Sequence, residues 1–393
     1  MKTKMGREII IHEAVGSANI LINKRDAHIS ALEARTVVVP LPRVASISRR
    51  KLTARSYTLV RVFGPENTVG IGFSLSGEAA TTIVRELIAP NVVGLSVFET
   101  ERIWDNTYYN IILNGRRGAA LRAMSAVDIA LWDLKGKLVG LSCGELMGLH
   151  KREVRAYASG GYYFDEDPIR EVEEEVSDWM LQGFTAIKIK IGGLPLEVDL
   201  ARVRAARRVA GEKVEIMLDA NNAWRDVYTA SRMMKHFEPY DIAWLEEPLS
   251  PDEVMGHQRL RSMSSIPIAT GEIESTRWGF AELIRAEAAD VLQPDAAVVG
   301  GFTEWRRIAD TAASFGIPLA PHWFADLHVH CVAAVPNGLW IEYFTDSRIL
   351  NVMELFEKSL VVKNGRAVVP SEPGIGILLK DRIVDKYATE AWA

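Results

Sequence analysis

Eight ionisable residues in the second half of the chain have the types and spacing to do chemistry together: Lys188, Lys190, Asp219, Glu246, Glu272, Asp295, His322 and Glu342. From Lys190 onward each follows the last by 20 to 29 residues. Asp219, Glu246 and Glu272 are three carboxylates that would repel one another unless a cation lay between them. An all-oxygen set with room for water and substrate suits Mg²⁺. Lys188 and Lys190 stand two residues apart, so on a strand they share a face. Two ammonium groups held close and withdrawn from water should titrate below a free lysine. Lys190 is then a candidate general base near neutral pH, and Lys188 a candidate contact for a substrate carboxylate. His322 with Asp295 reads as a dyad in which the acid fixes the imidazole tautomer and raises its basicity. Glu342, expected to be protonated in acid-rich surroundings, would donate a hydrogen bond to a substrate carboxylate.

Each residue alone has an ordinary explanation. Asp219 could cap a helix or make a turn. Glu246 could be a loop acid, Glu272 a turn residue after Gly271, His322 a structural histidine and Glu342 a partner for a neighbouring base. What argues against eight coincidences is the element pattern that carries them. Strand-like runs at 154–158, 187–191, 214–218, 242–245, 266–269, 291–293, 318–320 and 339–341 alternate with helical stretches. That alternation predicts parallel βα units. Eight of them fit a (β/α)8 barrel, with a doubly wound sheet as the second possibility. In a barrel, active sites form at the C-terminal ends of the strands, which is where the ionisable residues fall.

Before residue 150 the texture differs. Strands are expected at 34–39, 57–62 and 69–73, then helices, the clearest over 119–139, which describes an α+β domain. Between the first two strands, residues 40–55 read as a basic loop with Arg43, Arg49, Arg50, Lys51 and Arg55. The expected division is an extension at 1–27, an α+β capping domain at 28–150, a barrel at 151–360, and a segment at 361–393 that packs back on the cap.

A net charge of −5 gives no reason to expect nucleic acid or an anionic membrane as partner. No apolar run approaches the about 20 residues of a membrane span, and the basic start (Lys2, Lys4, Arg7) lacks a signal-peptide core. A cytoplasmic location is expected. The two cysteines, Cys143 and Cys331, have no CxxC neighbour and read as small buried hydrophobes.

Several segments resemble the mandelate racemase/muconate lactonizing enzyme group of the enolase superfamily. They are Ile-Lys-Ile-Lys-Ile-Gly (187–192), Asp-Ala-Asn-Asn-Ala-Trp (219–224), Trp-Leu-Glu-Glu-Pro (244–248) and Ala-Thr-Gly-Glu (269–272). Pro-Asp-Ala-Ala-Val-Val-Gly-Gly (294–301), Pro-His (321–322), Trp-Ile-Glu (340–342), Gly-His-Gln-Arg (256–259) and Ala-Val-Asp-Ile-Ala-Leu-Trp-Asp (126–133) are similar to it as well. The resemblance implies an α/β fold: a modified TIM barrel of (β/α)7β type under an N-terminal α+β capping domain completed by the C-terminal segment. It implies Mg²⁺ on Asp219, Glu246 and Glu272, with Glu247 not a direct ligand. It implies Lys190 and the His322–Asp295 dyad on opposite faces of the substrate, a Lys or His base beside Mg²⁺ being the established pattern of that superfamily. It also implies capping loops, here 40–55 and 72–77, that close the site, and a homo-oligomer, octamer or dimer.

Two bases on opposite faces allow racemisation or dehydration. The basic loop suits a polyhydroxy acid or diacid better than an aromatic acid. Dehydration of a sugar acid is therefore the leading expectation. A racemase or epimerase is the alternative, with a cycloisomerase, a Schiff-base aldolase and an inactive sugar-acid-binding homologue behind it.

Overall fold

The structure is a computed structural model that describes residues 27–393 other than Asp165. The expected extension at 1–27 thus lies outside the described residues except for Ala27.

The first domain is built on a three-stranded antiparallel sheet: β1 (Ala31–Ile47), β2 (Arg50–Phe63) and β3 (Val69–Ser74). The long helix Ala119–Val139 lies across β3. Gly70 and Gly72 permit that approach, since a Cβ on Gly72 would lie 1.9 Å from the Ala126 carbonyl oxygen. The expected basic loop at 40–55 is instead the outer half of the β1–β2 hairpin. The two strands pair from Ala31–Phe63 to Pro40–Ala54, slip, and pair again from Ala45–Leu52 to Ile47–Arg50. Pro40 and Pro42 lack the N–H a ladder needs, which puts the slip there. Likewise only the end of 72–77 is a turn, because Gly72 to Ser74 belong to β3. The hairpin tip docks on the second domain, where Ser46 exchanges two backbone hydrogen bonds with Tyr163 (2.8 and 3.0 Å).

The second domain is a closed parallel barrel. Strands β4 (Glu153–Gly160), β5 (Ala186–Lys190), β6 (Glu215–Asp219), β7 (Ile242–Glu246), β8 (Ile268–Thr270) and β9 (Val291–Leu292) pair in sequence order. β10 (Ile341–Tyr343) pairs with β4 and closes the ring, which removes the doubly wound alternative. The seventh strand, expected at 318–320, is reduced to one residue: Leu319 bridges Leu292 and Gly338. Pro318 and Pro321 on either side cannot extend a ladder. The eighth strand lies two residues beyond the expected 339–341.

Strand alternation sorts the barrel into layers. Ile187, Ile189, Ile216, Leu218 and Leu245 face outward into a core shared with helix residues such as Val176, Val203 and Leu260. Tyr157, Ala186, Met217, Trp244, Ala269, Val291, Ala320 and Trp340 form a separate cluster filling the interior. Two residues further along most of these strands the interior turns polar: Ser159, Lys188, Asp219, Glu246, Gln293, His322 and Glu342.

After β10, the hairpin of β11 (Val362–Lys363) and β12 (Arg366–Val368) pairs antiparallel with β4, so the first part of 361–393 belongs to the barrel and not to the cap. The chain then crosses to the cap. Ala388 bridges Val37, and the Ala393 carbonyl accepts from the Ala34 amide. Among the described residues no helix is long and apolar enough to cross a membrane.

Candidate active site

The C-terminal rim of the barrel brings all eight residues together. Lys188 and Lys190 lie on β5, Asp219 ends β6 and Glu246 ends β7. Glu272 follows β8 after Gly271, whose φ of 123° turns the chain so that Glu272 reaches the rim out of strand parity. Asp295 follows β9 and caps the short helix Ala296–Val299 by accepting from the Ala297 amide. His322 follows Leu319, and Glu342 is the middle residue of β10.

One carboxylate oxygen from each of Asp219, Glu246 and Glu272 lies within 4.8 Å of the others, and all three residues are buried. Glu272 Oε2 has no hydrogen-bond partner. Burial, with Asp219, Glu272 and Glu342 nearby, pushes the Glu246 carboxyl well above its ordinary range although Lys188 opposes this. Three buried acids with an orphaned oxygen are the donor set of a hard divalent cation. Glu247, next along the chain, has a left-handed backbone (φ 41°); its Oε2 accepts from Asn222 Nδ2 at 2.8 Å and its Oε1 is buried without a partner.

The lysines are held by these acids. Lys188 Nζ lies 2.7 and 2.8 Å from the two Glu246 oxygens and 2.9 Å from Glu342. Lys190 Nζ is bonded to Asp219. The expected depression of the lysine pKa is overturned. Burial acts most strongly on Lys190 and downward, but the surrounding acids, Asp219 foremost and Glu246 with it, help carry the net direction upward. Lys188 is raised in the same way by Glu246 and Glu342.

The expectation that Glu342 is protonated also fails. Burial acts upward on it, yet Lys188, His322 and Lys190 bring it down to about 2. It is an ionised acceptor, taking hydrogen bonds from Ser159 Oγ (2.5 Å) and the Trp323 amide (2.7 Å).

His322 Nδ1 lies 3.0 Å from Asp295 Oδ2, and its Nε2 lies 3.4 Å from Glu272. Burial acts most strongly on the Asp295 carboxyl and upward, but His322 and His328 together outweigh it and the acid stays ionised. An anionic Asp295 accepts a hydrogen bond from Nδ1–H, which leaves Nε2 directed at the acidic cluster. In strand order the cluster therefore carries Lys190 at the Asp219 end and His322 at the Glu272 end.

Further residues complete the site. Gln293 Nε2 donates to Glu246 Oε2 at 2.6 Å, and Ser159 fixes Glu342. Both stand two residues beyond an interior apolar residue, so strand parity could have found them. His328 accepts from the Ala296 amide at Nε2 (2.9 Å) and faces the Trp323 carbonyl with Nδ1 (3.1 Å), which makes it the Nδ1-protonated tautomer. Nothing in the sequence marks it, because it lies on a buried helix away from the strand register. The cap clamps the same region. Asp128 accepts from the Thr303 amide (2.9 Å) and hydroxyl (2.6 Å), and Ser125 Oγ accepts from the Gly300 amide (2.9 Å).

A closed barrel with an acid cluster, two lysines and a His–Asp pair at its rim, under an α+β cap, defines an enzyme of the enolase superfamily. The chain belongs to the mandelate racemase/muconate lactonizing enzyme family within it: residues 31–148 match that family's N-terminal domain and 171–383 match the enolase C-terminal domain-like model. It is 36% identical over 332 residues to the arabinonate dehydratase of Saccharolobus solfataricus, covering 81% of this chain and 87% of that one. It is 31% identical over 347 residues to the 3,6-anhydro-alpha-L-galactonate cycloisomerase of Streptomyces coelicolor, covering 87% and 94%. The structure of L-talarate dehydratase from Polaromonas sp. JS666, complexed with Mg and L-glucarate, superimposes with a TM-score of 0.85 at 34% identity, covering 93% and 99%.

Proposed function

We propose that this protein is a Mg²⁺-dependent sugar-acid dehydratase that removes the proton α to a carboxylate and expels the β-hydroxyl, giving a 2-keto-3-deoxy acid. The observation that carries the reading is the placement of two proton-transfer groups, Lys190 and His322, at opposite ends of one carboxylate cluster. The dehydratase relatives support the reaction class.

Asp219, Glu246 and Glu272 would hold the cation. When bound, it supplies positive charge that offsets the three carboxylates, draws the substrate carboxylate in and stabilises the charge that builds on its oxygens. Lys188, fixed between Glu246 and Glu342, presents its ammonium to that substrate carboxylate. One of Lys190 and His322 takes the α-proton, according to the configuration of the substrate; Lys190 would serve as base only where the cation offsets the Asp219 charge that otherwise holds its proton. The other gives a proton to the departing β-hydroxyl, so the C–O bond breaks as water leaves. The resulting enol then takes up a proton at C3 as it becomes the keto acid. Asp295 holds the His322 tautomer, and Glu342 anchors the Trp323 amide beside His322.

With a substrate that has no β-hydroxyl placed to leave, the same two groups would exchange the α-proton from opposite faces, which is the racemase or epimerase reading. The cytoplasm is the proposed location and a homo-oligomer the proposed assembly. The test is incubation of the purified protein and Mg²⁺ with a panel of mono- and diacid sugars, assayed for 2-keto acid. Keto acid from one or a few compounds is expected. Configurational change without keto acid would replace the dehydratase by an epimerase.

A further inference from the structure

Charges on the β1–β2 hairpin have different fates. Arg43 pairs with Glu171 (2.9 Å) and Glu166 (3.1 Å), and Arg49 donates to the Ala223 carbonyl (2.7 Å). Arg55, on β2 opposite Val39, has no carboxylate partner among the described residues. It is 8% exposed, its one hydrogen bond runs from Nε to the Ile349 carbonyl (3.2 Å), and its Nη2 is buried with no acceptor. A guanidinium stays charged at any physiological pH, so burying one without a counter-ion is costly unless something else supplies the negative charge.

Its surroundings place it at the active site. The guanidinium carbon lies 4.5 Å from the centre of the Trp323 ring, which stacks on His322 at 4.9 Å between centroids. Arg55 is therefore a second cationic contact, set apart from Lys188. It sits over the Trp323 ring, whereas Lys188 is enclosed by Glu246 and Glu342.

Resting on the dehydratase reading, we infer that the substrate is a sugar diacid and that Arg55 binds its distal carboxylate. Lys188 addresses the carboxylate whose α-proton is removed, and Arg55 supplies a planar fork for the other. A monoacid of the same length would leave the guanidinium uncompensated, so the site selects by an unmet charge as well as by an attraction.

The test compares the wild type with Arg55→Met, which keeps length and packing on Trp323, and Arg55→Lys, which keeps the charge. For a six-carbon sugar diacid and the monoacid of the same configuration, the wild type should favour the diacid in kcat/KM. Arg55→Met should lose on the order of 10²-fold on the diacid, mostly in KM, and little on the monoacid. Arg55→Lys should recover part of the preference, which a merely structural role would not produce. Calorimetry of the Mg²⁺-loaded protein with adipate and hexanoate, neither of which can react, gives a second readout: adipate should bind more tightly, and Arg55→Met should erase the difference. A diacid-to-monoacid ratio unchanged in Arg55→Met overturns the inference and leaves the elimination chemistry standing. If no sugar acid is turned over at all, the dehydratase reading falls, and the adipate titration still decides whether Arg55 is a carboxylate site.

Discussion

The barrel interior holds two layers one pleat apart, and they differ completely in character. The lower layer, with Tyr157, Met217, Trp244 and Trp340, is packed apolar surface. The upper layer, with Lys188, Asp219, Glu246, His322 and Glu342, is ionisable and equally buried except for His322, whose side chain is 15% exposed. A step of two residues along a strand separates filling from chemistry. The lower layer excludes water and supplies the hydrophobic free energy. The upper layer carries charges that cost free energy to bury and are tolerated because they face one another.

If that division holds, substitutions in the two layers should fail in different ways. The largest loss of activity is expected from Lys190→Ala and His322→Asn. Each should lower dehydration turnover by about 10³-fold or more with the fold retained. Full activity in either would take that residue out of catalysis. Trp244→Ala, one pleat below, should do the reverse and cost about 3–5 kcal/mol of stability by opening a cavity. A denaturant titration that found it as stable as the wild type would contradict the assignment of the lower layer.

Glu246→Gln should weaken Mg²⁺ binding by at least about tenfold, read by calorimetry. Unchanged metal affinity would remove Glu246 as a ligand. A smaller effect lies where the cap seats on the barrel. Burial raises the Asp128 carboxyl from its ordinary 3.8 to about 7 although Thr303 bonds to it. The folded state then holds this proton more tightly than the unfolded chain. The stabilising contribution is full below pH 3.8 and is lost as pH rises toward 7. Asp128→Asn should flatten that part of the thermal-midpoint profile by about 2–4 °C. A profile identical to the wild type would show that Asp128 does not titrate there.

Much of the upper layer was legible in the sequence because a closed barrel converts regular spacing into convergence. Lys190, Asp219 and Glu246 end successive strands, so their register alone placed them side by side. Asp295 and His322 followed by the same rule. Partners were less legible than positions. The Lys-x-Lys pair suggested two ammonium groups depressing each other, whereas each lysine has a carboxylate against it. Glu342 read as a protonated donor and is an ionised acceptor because Lys188 lies 2.9 Å away. Those outcomes depend on side-chain distances that one-dimensional spacing does not contain. The hairpin at 40–55 was hidden by its prolines and basic residues, which resemble a loop in composition. The seventh strand shrank to Leu319 because prolines flank it.

The most direct test of the two-base arrangement is solvent deuterium exchange at the α-carbon, followed by NMR in Mg²⁺ with the sugar acid that the wild type dehydrates. It would be run on Lys190→Ala and His322→Asn side by side. Neither variant should form keto acid. Exchange should vanish in the variant lacking the base for that configuration and persist in the one lacking the group that protonates the leaving hydroxyl. Keto acid formation at the wild-type rate in either variant would contradict the pairing of Lys190 and His322 across the acidic cluster.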